Sequence, residues 1–147
     1  LNWKQPFNVI DIGKGICLKE GTQIAVLSVG TIARTIENVI TNLKQDDTIG
    51  HYDMQFVKPL DKELLHKVFK NYEAVITIED GTIVGGFGAS VLAFANTNNY
   101  KQTLITLGIE DQFLEHGTTD QLKRLQKLDA LSVKKQIEDL LFSLNNR

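Results

Sequence analysis

Apolar residues in this chain follow two alternating patterns: short unbroken runs, and longer stretches spaced by three and four. Ile24-Ala25-Val26-Leu27-Ser28-Val29 and Ala74-Val75-Ile76-Thr77-Ile78 are unbroken runs between polar or glycine boundaries. That length and composition predict strands buried on both faces. Residues 16–19, 49–54 and 103–107 predict three further strands, the first short and closed by Glu20-Gly21. Ala33, Ile36, Val39, Ile40 and Leu43 keep helical spacing, so one face of that segment packs inward. Leu64, Leu65, Val68, Phe69 and Tyr72 do the same behind Asp61, a good N-cap. Pro59 keeps residues 55–60 out of any helix interior. Glu79-Asp80-Gly81 is expected to end its strand, and Gly85-Gly86-Phe87-Gly88 to lead into an Ala-rich helix from Ala89 to about Ala95. Residues 108–118 form a loop of eleven, long for a compact domain. Thr119 or Asp120 is expected to cap a helix through Leu122 and Leu125, and Ser132 to cap the last one, which buries Ile137, Leu140, Leu141 and Leu144.

Alternation of this kind predicts a three-layer α/β/α fold. Its mostly parallel five-stranded sheet is expected to have one antiparallel edge strand. Residues 1–15 read as a linker from an upstream domain, and residues 16–147 as the domain itself. The start at Leu1 reads as a fragment, and the polar Asn145-Asn146-Arg147 as a terminus.

Charge and composition narrow the function classes. With 16 basic and 18 acidic residues, the formal net charge is −2. Nothing there attracts nucleic acid or an anionic membrane in bulk. No apolar stretch is long enough to cross a bilayer, and no signal-peptide core is present, so a cytoplasmic location is expected. The single Cys17 excludes an internal disulfide and reads as a buried, inert thiol.

Candidate chemistry collects at the carboxyl ends of the strands, where open α/β sheets bind ligands. Those ends offer Gly30-Thr31, residues 55–58 with Lys58, Glu79-Asp80, and the long loop with Glu115 and His116. Two readings stand side by side there: a ligand cleft, or the ordinary polarity of connecting loops. The glycine cluster fails both phosphate motifs. Gly81 and Gly86 keep P-loop spacing, but Phe87 stands in place of the lysine. Gly86-Phe87-Gly88 starts a dinucleotide fingerprint, but Val91 stands where Gly or Ala must lie. Phe87 is therefore expected to project from the turn, onto a neighbouring domain. His51 is assigned to a strand, His66 to a helix surface and His116 to the loop, with no metal-ligand spacing among them. Glu79 and Asp80, as strand neighbours, are expected to point in opposite directions.

Four segments occur together in order: Phe56-Val57-Lys58-Pro59-Leu60-Asp61, Ile78-Glu79-Asp80-Gly81, Gly85-Gly86-Phe87-Gly88-Ala89-Ser90-Val91 and Phe113-Leu114-Glu115-His116-Gly117. With Ile12-Gly13-Lys14-Gly15 and Lys19-Glu20-Gly21, they resemble the C-terminal, transketolase-like domain of 1-deoxy-D-xylulose-5-phosphate synthases. The resemblance covers about residues 10 to 140. Gln55, Asp80 and the Ile109-Glu110-Asp111 segment depart from the family pattern, which has Arg, Glu and Leu-Pro-Asp there. The resemblance implies a parent enzyme that uses thiamine diphosphate and Mg²⁺ to condense pyruvate with glyceraldehyde 3-phosphate, losing CO₂, for isoprenoid precursors. It places the catalytic, cofactor and metal residues in upstream domains, so no residue here is assigned those roles. This domain would contact its own upstream domains and a second subunit of a homodimer. Lys58, Glu79, Asp80, Gly86, Phe87, Glu115 and His116 are the candidate interdomain or ligand contacts. Two other readings remain: a small-ligand regulatory module, or the last domain of a transketolase or a 2-oxoacid dehydrogenase beta-type subunit, used for protein docking.

Overall fold

The structure is a computed structural model that describes residues 9–146. Its strands are β1 (Ile16–Lys19), β2 (Ile24–Val29), β3 (Ile49–Asp53), β4 (Ala74–Thr82) and β5 (Thr103–Ile109). The helices are α1 (Ala33–Thr41), α2 (Lys62–Asn71), α3 (Phe87–Thr97), α4 (Thr119–Leu125) and α5 (Ala130–Asn145). The strands form one sheet in the order β1-β3-β2-β4-β5. β1 runs antiparallel to β3 at one edge, and the other three pairings are parallel. This is the expected three-layer fold with its antiparallel edge strand.

Burial explains the two central strands. Ile24, Ala25, Val26 and Leu27 are fully buried, as are Ala74, Val75, Ile76 and Ile78. Alternate residues feed two cores. Val26, Ile76 and Ile78 pack with Ile36, Ile40, Ile137 and Leu141 of α1 and α5. Leu27 and Val75 pack with Leu65, Phe69, Val91 and Phe94 of α2 and α3. Each such side chain stabilises the fold by about 1.5–3 kcal/mol relative to exposure.

Several local expectations need correction. Glu79-Asp80-Gly81 does not end β4, which runs on to Thr82 through an irregular register after Ile78. β5 reaches Ile109, so the loop after it is shorter than expected. Helix α3 begins at Phe87, two residues earlier than composition suggested. Thr118, in a reciprocal capping box with Gln121, caps α4. Asp129, not Ser132, caps α5; its carboxylate accepts from the N–H groups of Leu131 and Ser132. Cys17 is exposed, because β1 is an edge strand whose first three residues all face outward. His66 is half-buried rather than a surface group, with Nδ1 2.7 Å from the Tyr100 hydroxyl and its ring against Phe94.

Residues 1–8, the first part of the expected linker, lie outside the described residues. Val9 to Gly15 carry no helix or strand. Gly13 is buried against Pro59, and the Gly15 N–H donates to Asp61 Oδ2 at 3.0 Å.

Candidate functional site at the carboxyl ends of the strands

Crossovers leave the sheet in opposite directions on either side of the β2–β4 boundary. The connection after β2 rises through α1 on one face, and that after β4 passes through α3 on the other. This is a topological switch point, where doubly wound sheets open a crevice for ligands.

Here the crevice is bridged from within. Gly30 turns at φ +83°, a left-handed conformation that suits glycine. Thr31 then donates its hydroxyl to Asp80 Oδ2 at 2.8 Å. Asp80 is exposed and leans toward the β2 turn. Glu79, its neighbour, is only 7% exposed and turns the other way. Its Oε2 accepts from the Phe87 N–H at 3.0 Å, and its Oε1 from the Gly88 N–H at 2.9 Å. The carboxylate thus takes the place of an external anion at the N-terminus of α3. Gly86 is the N-cap of that helix and lies directly on the carboxylate. A Cβ at residue 86 would collide with the Thr82 carbonyl and come 2.5 Å from Glu79 Oε2.

This geometry corrects the expectation for Phe87. Once Glu79 holds its N–H, residue 87 becomes the first of a buried stripe, Phe87, Val91, Phe94 and Ala95. The ring is fully buried between helix and sheet and does not project toward a neighbouring domain. Val84, 60% exposed, is the apolar side chain that leaves the turn.

Beside Asp80 lies an open cleft of about 260 Å³. Ile109, Leu114, Leu122 and Leu128 form its apolar wall, and Thr31, Asp80, Lys123 and Gln126 supply polar atoms. Gln126 Oε1 accepts from the Glu110 N–H at 3.1 Å. Lys58, Glu115 and His116 are exposed. The structure therefore gathers Glu79, Gly86 and Phe87 into one structural joint and places Asp80 at the cleft.

Sequence reasoning missed the second polar centre, under the β1 edge. Tyr52 donates to Glu20 Oε2 at 2.8 Å, and its hydroxyl lies 2.9 Å from that of Tyr72. Lys67 reaches Glu20 Oε1 at 2.9 Å, and the Gly21 N–H donates to the Tyr72 hydroxyl. The Lys67 and Tyr52 contacts hold the Glu20 carboxyl down at about 2, while burial pushes the Tyr52 phenol up. Partial desolvation and the nearby Glu20 carboxylate also raise the exposed Cys17 thiol, which disfavours the reactive thiolate. His51 is buried on β3 with Nε2 2.8 Å from Ser28 Oγ, and burial lowers its pKa to about 4. Glu20 and Tyr72 are 52 residues apart, so no local motif announces this network.

Thiamine diphosphate needs a cradle for its diphosphate and a metal. The glycine turn entering α3 is filled by the Glu79 carboxylate, which would repel a phosphate. Among the described residues, no group of three His, Cys, Asp or Glu side chains is placed to hold a metal ion. These residues do not fit the cofactor. Among the described residues, no helix is long and apolar enough to cross a membrane.

Comparison with known proteins places this architecture. The chain is 41% identical over 140 residues to a 1-deoxy-D-xylulose-5-phosphate synthase from Cytophaga hutchinsonii, covering 95% of the chain and 22% of that protein. It is 43% identical over 135 residues to the same-named protein from Azobacteroides pseudotrichonymphae, covering 91% and 21%. The Aquifex aeolicus protein of that name is 35% identical over 136 residues, covering 92% and 22%. The chain thus spans about a fifth of the length of the curated relatives it matches. Among solved structures, a split-gene transketolase described as an inactive beta4 tetramer superposes with a TM-score of 0.80 at 26% identity, covering 88% of this chain and 43% of that one. A family model, "Transketolase, C-terminal domain", matches residues 13–133, and with the fold above it shows that the chain belongs to the transketolase C-terminal domain family.

Proposed function

We propose that this chain serves as the C-terminal domain of a 1-deoxy-D-xylulose-5-phosphate synthase, and that it is a structural and subunit-contact domain within it. Relatives bearing that name support the reading; they match nearly the whole chain but are several times longer. In the parent enzyme, pyruvate and glyceraldehyde 3-phosphate condense with loss of CO₂, and bound thiamine diphosphate with Mg²⁺ supplies the carbanion chemistry. That chemistry belongs to the upstream domains.

The observation that carries the local role is the Glu79 joint. A helix N-terminus that would otherwise be free for an anionic ligand is closed by a side chain of the same domain. What the domain then offers is shape: a rigid three-layer body with surfaces for its own upstream domains and for a second subunit. The split-gene transketolase assembles as a tetramer of beta chains, which supports an assembly role for this fold. The test is turnover with pyruvate, glyceraldehyde 3-phosphate, thiamine diphosphate and Mg²⁺. The chain alone should give no product, and the chain with its encoded upstream region should. Product from the chain alone, or none from the longer protein, would overturn the reading.

The cleft beside Asp80 favours one second reading, a small-ligand module. Its apolar wall with a carboxylate and an ammonium suits a compact ligand bearing a hydrogen-bond donor, not a diphosphate. Calorimetry against a panel of nucleotides and small amino acids tests it; absence of heat across the panel removes it.

A further inference from the structure

Helix α4 is fixed at its ends rather than along its length. It contributes no buried residue, and Leu122 opens into the cleft beside Asp80 instead of into the core. At one end Thr118 and Gln121 close the capping box. At the other, Gln126 Oε1 accepts from the Glu110 N–H where β5 ends, and Leu128, 3% exposed, is anchored in the core. The cleft of about 260 Å³ is thereby kept open. Its lining carries two charged side chains of opposite sign, Asp80 and Lys123. They form no ion pair with each other, and among the described residues the half-buried Lys123 side chain has no hydrogen-bond or ion-pair partner. Lys123 also borders a hollow lined by Asp120 and Asp129, and pairs with neither. Asp80 is oriented from one side. Thr31 donates to Oδ2, and Oδ1 lies over Gly30, 3.2 Å from where a Cβ would stand. Oδ1 accepts no hydrogen bond among the described residues.

We propose that this cleft binds a free α-amino acid with an aliphatic side chain, its ammonium on Asp80, its carboxylate on Lys123 and its side chain against Leu114 and Leu122. The inference deepens the small-ligand reading above and rests on it. Opposite charges that share one lining without meeting match a molecule that carries both. A plain amine or a plain carboxylic acid would leave the other charge desolvated without a partner, which costs affinity. A phosphate would meet a single cation with the Asp80 carboxylate in the same cleft, so nucleotides and sugar phosphates have the wrong charge for it. The apolar wall calls for hydrocarbon between the two charges. The volume lies below the roughly 300–1,000 Å³ of sites for drug-sized ligands, which limits the occupant to a compact molecule. The position is the crevice at the topological switch point, where such sheets bind ligands.

The test is calorimetric titration of the 147-residue chain with L-leucine, beside analogues that each lack one feature. These are 4-methylpentanoate without the ammonium, 3-methylbutylamine without the carboxylate, and glycine without the side chain. Leucine should bind saturably, and each analogue about tenfold more weakly or worse. Asp80→Asn and Lys123→Gln should each weaken leucine binding by about tenfold or more, with melting curves to verify that both variants fold. Lys70→Gln, on α2, should bind like the wild type. Hydrogen exchange in α4 should slow when leucine is bound. Absence of saturable heat with leucine would overturn the proposal. So would equal binding of either singly charged analogue, or binding indifferent to both cleft variants. Leucine binding that disappears once the encoded upstream region is attached would overturn it too, because the cleft is then covered in the longer protein. Saturable heat with a nucleotide but not with leucine removes this proposal and leaves the small-ligand reading standing; silence across the whole panel removes both.

Discussion

The two edges of the sheet are built on opposite principles. At the β1 edge, a short exposed strand is tied down by polar chemistry: Glu20 to Lys67 and Tyr52, Tyr52 to Tyr72, and Tyr72 to the Gly21 backbone. At the β5 edge the strand residues are uncharged, and Glu79 is buried on the first amides of α3. Charged networks suit surfaces that meet water, and a bare apolar edge suits a surface that another body covers. The contrast separates an edge tied down by a charged network from one whose strand carries no charge.

Breaking the Glu79 joint should have the largest effect. Glu79→Ala leaves two buried N–H groups without an acceptor and should cost about 3–4 kcal/mol of stability, measured by urea unfolding. Glu79→Gln keeps one acceptor and should lose less. If Glu79→Ala unfolds like the wild type, the joint does not hold the β5 side together.

Acid should act on the opposite edge. His51 is depressed to about 4 in the fold against 6.5 for a free imidazole. The unfolded chain therefore binds the proton first, so stability is complete above about pH 6.5 and falls as the pH drops toward 4. The whole shift corresponds to about 3 kcal/mol at most. Glu20, held near 2, adds a second loss between about pH 4.5 and 2. Melting temperatures across this range should fall in two stages, and His51→Asn should remove the first. A pH-independent melting temperature between 6.5 and 4 would contradict the burial of a neutral imidazole.

Smaller changes sharpen the same contrast. Tyr72→Phe removes the acceptor of the Gly21 N–H and the partner of Tyr52, and should cost about 1–2 kcal/mol. Hydrogen exchange should show the loss as faster exchange in β1 and β3, with β5 unaffected. Thr77→Val, on β4, should be neutral or stabilising by up to about 1 kcal/mol, because the Thr77 hydroxyl is buried without a partner among the described residues. A clear destabilisation would reveal a partner for it.

What the sequence disclosed follows the range of the forces involved. β2, β4, α1 and α2 were legible because their burial is written in local periodicity. The start of α3 was not, since it depends on Glu79, eight residues back and on another element. The same contact turned Phe87 from an expected docking group into a core residue. Cys17 was misplaced because only the strand order, set by tertiary contacts, puts β1 at an edge. The cap of α4 was legible and overlooked, as Thr118-x-x-Gln121 is a capping-box pattern. At the candidate site, the alternation of Glu79 and Asp80 was readable from strand geometry. The closure of the helix N-terminus by Glu79 was not.

The most direct measurement is calorimetric titration of the isolated chain with thiamine diphosphate in the presence of Mg²⁺. The N-terminus of α3 is already satisfied by Glu79, so no saturable heat is expected. Saturable one-to-one binding would contradict the claim that this domain supplies shape and contact rather than the cofactor site.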